Sequence, residues 1–143
     1  MKIGENSISL TICSCLNLIA PVSAFINETL QLAGFDAETA GNVDLAVREA
    51  VVNAIKHGNE EDPTKWFEVK LHFSDQVFDI EVADQGKGFD RAKLADCCDE
   101  RGLLKFSGRG VFLMRALMDE VEFSVRPDGG AVVRMRKRKA QPQ

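Results

Sequence analysis

Trp66-Phe67-Glu68-Val69-Lys70-Leu71-His72-Phe73-Ser74-Asp75-Gln76-Val77-Phe78-Asp79-Ile80-Glu81-Val82-Ala83 alternates apolar and polar residues on both sides of a three-residue break. Alternation with period two sends successive side chains to opposite faces of an extended chain. Trp66–Phe73 and Val77–Ala83 therefore read as a β-hairpin with one apolar face. Ser74-Asp75-Gln76 joins the strands without the Asn-Gly or Asp-Gly of the tightest turns.

Upstream, Ile8, Leu10 and Ile12 alternate with Ser7, Ser9 and Thr11, which gives a first strand over about residues 6–13. Over residues 16–33 the apolar positions Leu18, Val22, Phe25, Ile26 and Leu30 recur at helical spacing, and Gly34 ends that helix. A second helix starts near Asp36 and runs to His57, with Val43, Ala46, Val47, Ala50, Val51 and Ala54 on its buried side and Gly58 closing it. Downstream, Gly86, Gly88, Gly102, Gly108 and Gly110 punctuate a stretch whose helical signal is weak and confined to about residues 91–98. A helix over about residues 110–118 follows, then strands over residues 120–126 and 131–137 joined by Pro127-Asp128-Gly129-Gly130. The order β-α-α-β-β-loop-α-β-β pairs strands with strands. It predicts an α+β two-layer sandwich, a mixed, mostly antiparallel sheet against about three helices, rather than a doubly wound parallel sheet.

The chain has 143 residues, 45% hydrophobic and 28% charged. That suits one domain over residues 1–143, which buries roughly two-thirds of its unfolded surface and needs no staples. Disorder and low complexity are excluded by the same numbers. The apolar run at residues 16–25 is interrupted by Asn17, Pro21 and Ser23, far short of a membrane span. Met1-Lys2-Ile3-Gly4-Glu5-Asn6 lacks the basic and then apolar pattern of a signal peptide, so a cytoplasmic location with no membrane partner is expected. Net charge is −4, although Arg134-Met135-Arg136-Lys137-Arg138-Lys139 holds five positive charges. An acidic body argues against direct nucleic-acid binding, and the basic segment from about residue 134 reads as a solvated strand end and tail. Cys13 and Cys15 would share one face of the first strand as small hydrophobes. Cys97 and Cys98 sit in a polar stretch, and neither pair has zinc-site spacing.

Three stretches carry the chemistry. Glu49-Ala50-Val51-Val52-Asn53-Ala54-Ile55-Lys56-His57-Gly58-Asn59 lies on the second helix, where Glu49, Asn53 and His57 follow one another at about 40° around the axis. A carboxylate, an amide and an imidazole thus form one stripe, a pattern that an ordinary polar helix face shares. Val82-Ala83-Asp84-Gln85-Gly86-Lys87-Gly88-Phe89-Asp90 leaves a strand with an aspartate followed by alternate glycines. Such a turn lets a flat ligand approach the backbone, and as a bare pattern it also marks simple turns. It is no calcium loop, since Lys87 and Phe89 stand where oxygen ligands are required. Ser107-Gly108-Arg109-Gly110-Val111-Phe112-Leu113-Met114 is a glycine-rich loop opening a helix, which suits either a phosphate or a plain N-cap at Ser107 or Gly108.

In this order the three stretches resemble the N, G1 and G2 boxes of the Bergerat-fold ATPases of the GHKL superfamily. The likeness is strongest to the small anti-sigma factor serine kinases of the RsbW and SpoIIAB type and covers nearly the whole chain. It implies a histidine-kinase-like ATPase domain that uses ATP and Mg²⁺. Asn53 would hold the metal and Glu49 would be the general base toward a partner's serine. Asp84 would accept from the adenine amino group, with Gly86 and Gly88 allowing close approach and Phe89 closing the pocket. Gly108, Arg109, Gly110 and Val111 would wrap the phosphates, with Ser107 and Lys105 alongside. Where relatives commonly carry an arginine just before the Ser-Gly of the third stretch, this chain has Phe106. The compensating cation is Lys105, Arg101 or Arg109, with no choice among them. Where they carry a threonine after the last strand's glycine, it has Gly130-Ala131-Val132.

The implied function is an ATP-dependent protein serine kinase in a partner-switching system. Its partners would be a sigma factor or other output protein and a STAS-domain anti-sigma factor antagonist, which it phosphorylates. The alternatives are a nucleotide-binding, partner-sequestering module with little kinase activity and a nucleotide-free interaction domain. The resemblance also implies a homodimer built through the edge of the first strand. The segment 91–108 is expected to be mobile without nucleotide and ordered by ATP with Mg²⁺, because few large apolar residues hold it.

Overall fold

The computed structural model describes residues 2–86 and 100–140, with residues 100–108 described as backbone alone. The readings placed on Gly88, Phe89, the helical signal at 91–98, Cys97, Cys98 and most of the segment 91–108 lie outside the described residues. Strand β1 (Asn6–Cys13) leads to helices α1 (Ile19–Leu32) and α2 (Ala37–Asn53), then to the hairpin β2 (Trp66–Phe73) and β3 (Val77–Ala83). Helix α3 (Glu100–Leu117) and strands β4 (Glu120–Val125) and β5 (Ala131–Arg138) complete the chain. The sheet runs β1-β2-β3-β5-β4, and all four pairings are antiparallel, so the sheet is not mixed. The described architecture is the expected α+β two-layer sandwich.

Register makes the apolar face continuous. Val69 faces Val82, Leu71 faces Ile80 and Phe73 faces Phe78 across the hairpin, while Ile80 and Val82 face Met135 and Val133 of β5. These residues are buried under α1 and α2, which contribute Ile26, Leu30, Val43 and Val47, each essentially without exposure. The alanines of α2, Ala46 and Ala50, are equally buried and let its axis approach the sheet closely. Each large buried aliphatic side chain stabilises the fold by roughly 1.5–3 kcal/mol.

Helix α1 begins at Ile19, behind a 3₁₀ turn at Leu16–Leu18, rather than running unbroken from Leu16. Pro21 explains the late start: it offers no N–H to the carbonyl four residues back and is tolerated only in a first helical turn. Gly34 (φ 90°) ends α1 in the left-handed region. Asp36 caps α2, its carboxylate accepting from the Thr39 N–H at 2.7 Å. That backbone bond, together with the Thr39 side chain, holds the Asp36 carboxyl below the usual carboxylate range. Cys13 is exposed and Cys15 lies beyond the strand in the lead to the 3₁₀ turn, so the two do not share a strand face as expected.

Two further expectations change. The last helix begins at Glu100 and not near Gly110, so Ser107, Gly108, Arg109 and Gly110 lie within helical backbone and form no loop. Residues Leu103, Leu104, Phe106, Val111, Met114 and Leu117 keep a helical spacing straight through the glycines, and this outweighs their poor propensity. The basic segment is the strand end expected, but its charges are paired and not simply solvated. Residues 134–138 lie in β5, with Arg134 on Glu81 at 3.1 Å, Arg136 forked onto Asp79 at 2.6 and 2.8 Å, and Arg138 on Glu120 at 2.9 Å. Lys137 and Lys139 donate to the carbonyls of Leu117 and Ala33, at the ends of α3 and α1.

Candidate functional site

The polar stripe of α2 ends in a change of helical pitch. After Asn53 the helix widens into a π turn, Ala54–Gly58, closed by the Asn59 N–H on the Ala54 carbonyl at 2.8 Å. Such widenings recur at functional sites because they re-aim the side chains beside them. Asn53 is half-buried, and its Oδ1 is shielded from solvent with no hydrogen-bond partner among the described residues. A buried amide oxygen without a donor costs about 1–3 kcal/mol. Glu49 stands one turn earlier, also half-buried. His57 is exposed at the end of the stripe.

Asp84 follows the end of β3 and is only 4% exposed. Its N–H donates to the Ala131 carbonyl at 3.0 Å, and its Oδ1 accepts from the N–H groups of Gly86 at 2.9 Å and Ala131 at 3.0 Å. Burial pushes the Asp84 carboxyl above the usual carboxylate range. The two N–H groups, then the charges of Arg126 and Lys65, oppose that rise. Three glycines from separate parts of the chain enclose the residue. A Cβ at Gly58 would overlap the Asp84 carboxylate, one at Gly130 would overlap the Asp84 carbonyl, and one at Gly86 would overlap the Gly58 carbonyl. Sequence reading gave Gly86 the role of letting a ligand approach the backbone, and treated Gly58 and Gly130 only as a helix terminator and a turn residue.

Asn53, Gly58 and Asp84 line one seam between α2, the sheet and α3, with Ala131, Val133 and Met114 also on its walls. The seam is about 40 Å³, roughly tenfold below an ordinary small-molecule pocket. A larger hollow of about 460 Å³ lies on the open face of the sheet, but the carboxylates and guanidinium groups around it are paired with each other. The seam instead holds the orphaned Asn53 amide oxygen and the buried Asp84 carboxylate.

Of the third stretch, Arg109 is exposed, Gly110 and Val111 are buried on α3, and Lys105, Ser107 and Gly108 are described as helical backbone alone. The structure therefore brings Asn53, Asp84 and Gly86 to one region, with Glu49 one turn before Asn53 on α2 and not on the seam's walls, while Ser107–Gly110 are helical and not the phosphate-wrapping loop expected. Among the described residues no group of acidic, histidine or cysteine side chains has the arrangement of a metal cluster. A magnesium ion fits all the same, because it needs few protein ligands beside phosphate oxygens and water, and Asn53 Oδ1 is a buried acceptor awaiting a partner.

One residue went unread in the sequence. Asn59 is fully buried: its Nδ2 donates to Ser14 Oγ at 3.2 Å and to the Trp66 carbonyl at 2.9 Å, and its Oδ1 accepts from the Gln85 N–H at 2.9 Å. Gln85 answers by accepting from the Trp66 N–H at 2.9 Å. Asn59 thus ties the lead from β1, the start of β2 and the Asp84 turn together. Its position directly after the Gly58 that closes the helix was the only available signal.

Comparison with known proteins places this geometry in context. A family model described as "Histidine kinase-like ATPase domain" matches residues 14–137. The serine-protein kinase RsbW of Bacillus licheniformis is 33% identical over 110 residues, 73% of this chain and 68% of that protein. The anti-sigma F factor of Heyndrickxia coagulans is 34% identical over 108 residues, 70% of this chain and 69% of that protein. A solved structure of RsbU and RsbW domains from Mycobacterium tuberculosis superposes with a TM-score of 0.69 at 21% identity, over 96% of this chain and 33% of that one. The share of a curated relative's length that the chain spans is 61% in one case and 82% in another. No helix among the described residues is long and apolar enough to cross a membrane.

Proposed function

The chain belongs to the histidine kinase-like ATPase domain family, and from that membership we propose that it is an ATP-dependent anti-sigma factor that phosphorylates a serine of a STAS-domain antagonist. The observation that carries the reading is the orphaned Asn53 Oδ1 in the same seam as the desolvated Asp84 carboxylate. Together they would supply a metal ligand and an acceptor for the adenine base in one seam.

Asp84 binds the adenine amino group through Oδ2, since Oδ1 already accepts two N–H groups. Gly86 leaves the backbone bare beside the ring, and the adenine-contact roles that the resemblance implies for Gly88 and Phe89 belong to the same proposal. Asn53 would hold Mg²⁺, which would supply charge neutralisation at the phosphate oxygens. Glu49 accepts the proton of the partner's serine hydroxyl as that oxygen bonds to the γ-phosphorus of ATP and the bond from that phosphorus to the β–γ bridging oxygen breaks, releasing ADP. Ser107, Gly108, Arg109, Gly110 and Val111 contact the phosphates, with Lys105, Arg101 or Arg109 supplying charge in place of the arginine replaced by Phe106. To do so the N–H groups of Ser107–Gly110 must leave their helical bonds, and interior glycines lower that barrier by about 1 kcal/mol each relative to alanine.

A second reading, a nucleotide-binding module that sequesters its partner with little phosphate transfer, is favoured by Phe106 and by the helical backbone at Ser107–Gly110. A sigma factor or other output protein is the sequestered partner in both readings, and a homodimer through the free edge of β1 is compatible with either. Thermal melting with and without ATP and Mg²⁺ is the first test, and no shift at millimolar nucleotide would overturn both. Transfer of labelled γ-phosphate to a co-expressed antagonist then separates kinase from binding module.

A further inference from the structure

We propose that Asn59 is a positioning residue for the nucleotide: its side-chain amide is wedged into the β2–β3 ladder between Trp66 and Gln85, and this opening sets the Asp84 carboxylate in the seam. The inference rests on the adenine reading of Asp84.

Glu68 faces Ala83 in the last registered pair of β2 and β3, and the same register two residues on would set Trp66 opposite Gln85. Beside the Cys13–Trp66 pair, the bond between β1 and β2 runs from the Ser14 N–H to the Lys65 carbonyl at 3.0 Å. The N–H and carbonyl of Trp66 itself therefore point away from β1 and toward β3. A continued ladder would have Trp66 and Gln85 exchange two backbone bonds. Instead, Asn59 Nδ2 donates to the Trp66 carbonyl at 2.9 Å while Asn59 Oδ1 accepts from the Gln85 N–H at 2.9 Å. One primary amide thus spans the place of one backbone bond. The Trp66 N–H is taken by Gln85 Oε1 at 2.9 Å, so β3 parts from β2 and leaves none of these backbone groups unpaired. It stays with β5, where the Asp84 N–H reaches the Ala131 carbonyl at 3.0 Å.

The gap needs a donor and an acceptor on one short, rigid plane. Aspartate has no donor when ionised, serine and threonine have one oxygen, and glutamine is a methylene longer, so asparagine alone fits. Asn59 is fully buried, and its own N–H closes the π turn on the Ala54 carbonyl at 2.8 Å, so the end of α2 carries the wedge. The chain then leaves through Glu60 and Glu61, both left-handed (φ 53° and 57°). Two such residues in succession persist only where surrounding contacts over-determine them. With the ladder held open, Asp84 Oδ1 reaches the N–H groups of Gly86 and Ala131, and the bare Gly58 stands beside Oδ2. Without the amide, the Gln85 N–H either closes directly on Trp66 or loses its partner, and both displace Asp84. Nucleotide then binds only the fraction of molecules whose turn is in place, and the apparent affinity falls by that fraction. Asn59 touches no ligand in this reading. Its loss therefore slows association and leaves dissociation from the assembled site unchanged.

Stopped-flow binding of a fluorescent ADP analogue, with amide exchange at Gly86 and Ala131, tests this in wild type, Asn59→Ala and Ser14→Ala. Ser14 Oγ is the third partner of the Asn59 amide, 3.2 Å from Nδ2 on the side of β1, and its removal leaves the wedge in place. Asn59→Ala should bind about tenfold more weakly through slower association, with dissociation within about twofold of wild type. Its Gly86 and Ala131 amides should exchange faster without nucleotide and regain wild-type protection at saturating ADP. Ser14→Ala should lose stability in urea but keep both rate constants and that protection. Unchanged affinity in Asn59→Ala, a loss carried by dissociation, or an equal loss in Ser14→Ala would overturn the proposal and leave Asn59 a packing residue. If Asn59→Ala fails to fold, Gln85→Ala, which removes the other side chain holding the same gap, must slow association by about threefold, and no slowing overturns the proposal. Failure of wild-type protein to bind ADP would instead sink the adenine reading. Exchange in the nucleotide-free variants tests the wedge without it: faster exchange at Gly86 and Ala131 in Asn59→Ala alone upholds the placing of Asp84, and equal exchange overturns it.

Discussion

Gly58→Ala probes the seam without touching a charged group. Gly58 is not among the residues with left-handed backbone, so alanine is tolerated there conformationally and gains up to about 1 kcal/mol of helical propensity. Its Cβ, however, would occupy the space of the Asp84 carboxylate, which cannot retreat without leaving the N–H groups of Gly86 and Ala131. Hydrogen bonds to a charged group contribute about 1.5–3 kcal/mol each. Losing both and keeping the propensity gain predicts a net loss of roughly 2–5 kcal/mol, together with loss of nucleotide binding. Gly41→Ala is the control: Gly41 lies inside α2 with nothing within 4 Å of an added Cβ. It should gain about 0.5–1 kcal/mol. Urea unfolding of both variants with constant m-values reads the difference. If Gly58→Ala is as stable as Gly41→Ala and binds nucleotide normally, the crowding of Asp84 by this glycine is not real, and the seam must be drawn differently.

The remaining predictions follow from the same contacts. Asp84→Asn should weaken ATP and ADP alike by about 1.5–3 kcal/mol, or one to two decades in titration calorimetry. Because burial raises the folded Asp84 carboxyl above its unfolded value, its stabilising contribution is present below the ordinary carboxylate pKa and lost as pH rises through the folded one. Apo Asp84→Asn should therefore lose less stability, relative to wild type, at pH 7 than at acid pH. Glu49→Gln should keep nucleotide affinity and reduce phosphate transfer by about 10²–10⁴-fold, whereas Asn53→Ala should bind nucleotide without magnesium dependence. Normal transfer by both variants would remove the catalytic assignment. Asn59→Ala breaks the three hydrogen bonds of a fully buried amide and should cost about 2–4 kcal/mol in chemical denaturation.

Sequence alone determined what depends on near neighbours. The bounds of Trp66–Phe73 and Val77–Ala83, the cap at Asp36 and the end of α1 at Gly34 follow from alternation, side-chain reach and backbone freedom within a few residues. The order of the three motifs was legible for the same reason, and with it the family. Where local rules competed, they misled. The glycines at 108 and 110 outvoted an apolar period that continues through them, and Pro21 was passed over although it delays α1. Other features arise only when distant segments meet. Gly58, Gly86 and Gly130 converge on Asp84, Asn59 bridges Ser14, Trp66 and Gln85, and the basic run of β5 finds its acids on β3 and at the start of β4. These partners lie between 18 and 57 residues apart in several of the pairs that matter. No periodicity records which glycine must be bare or which amide oxygen will be left unpaired. Excluded volume and desolvation act only in the packed state, so the tertiary structure alone decided that the Asp84 carboxylate is buried and crowded and that Asn53 Oδ1 lacks a partner.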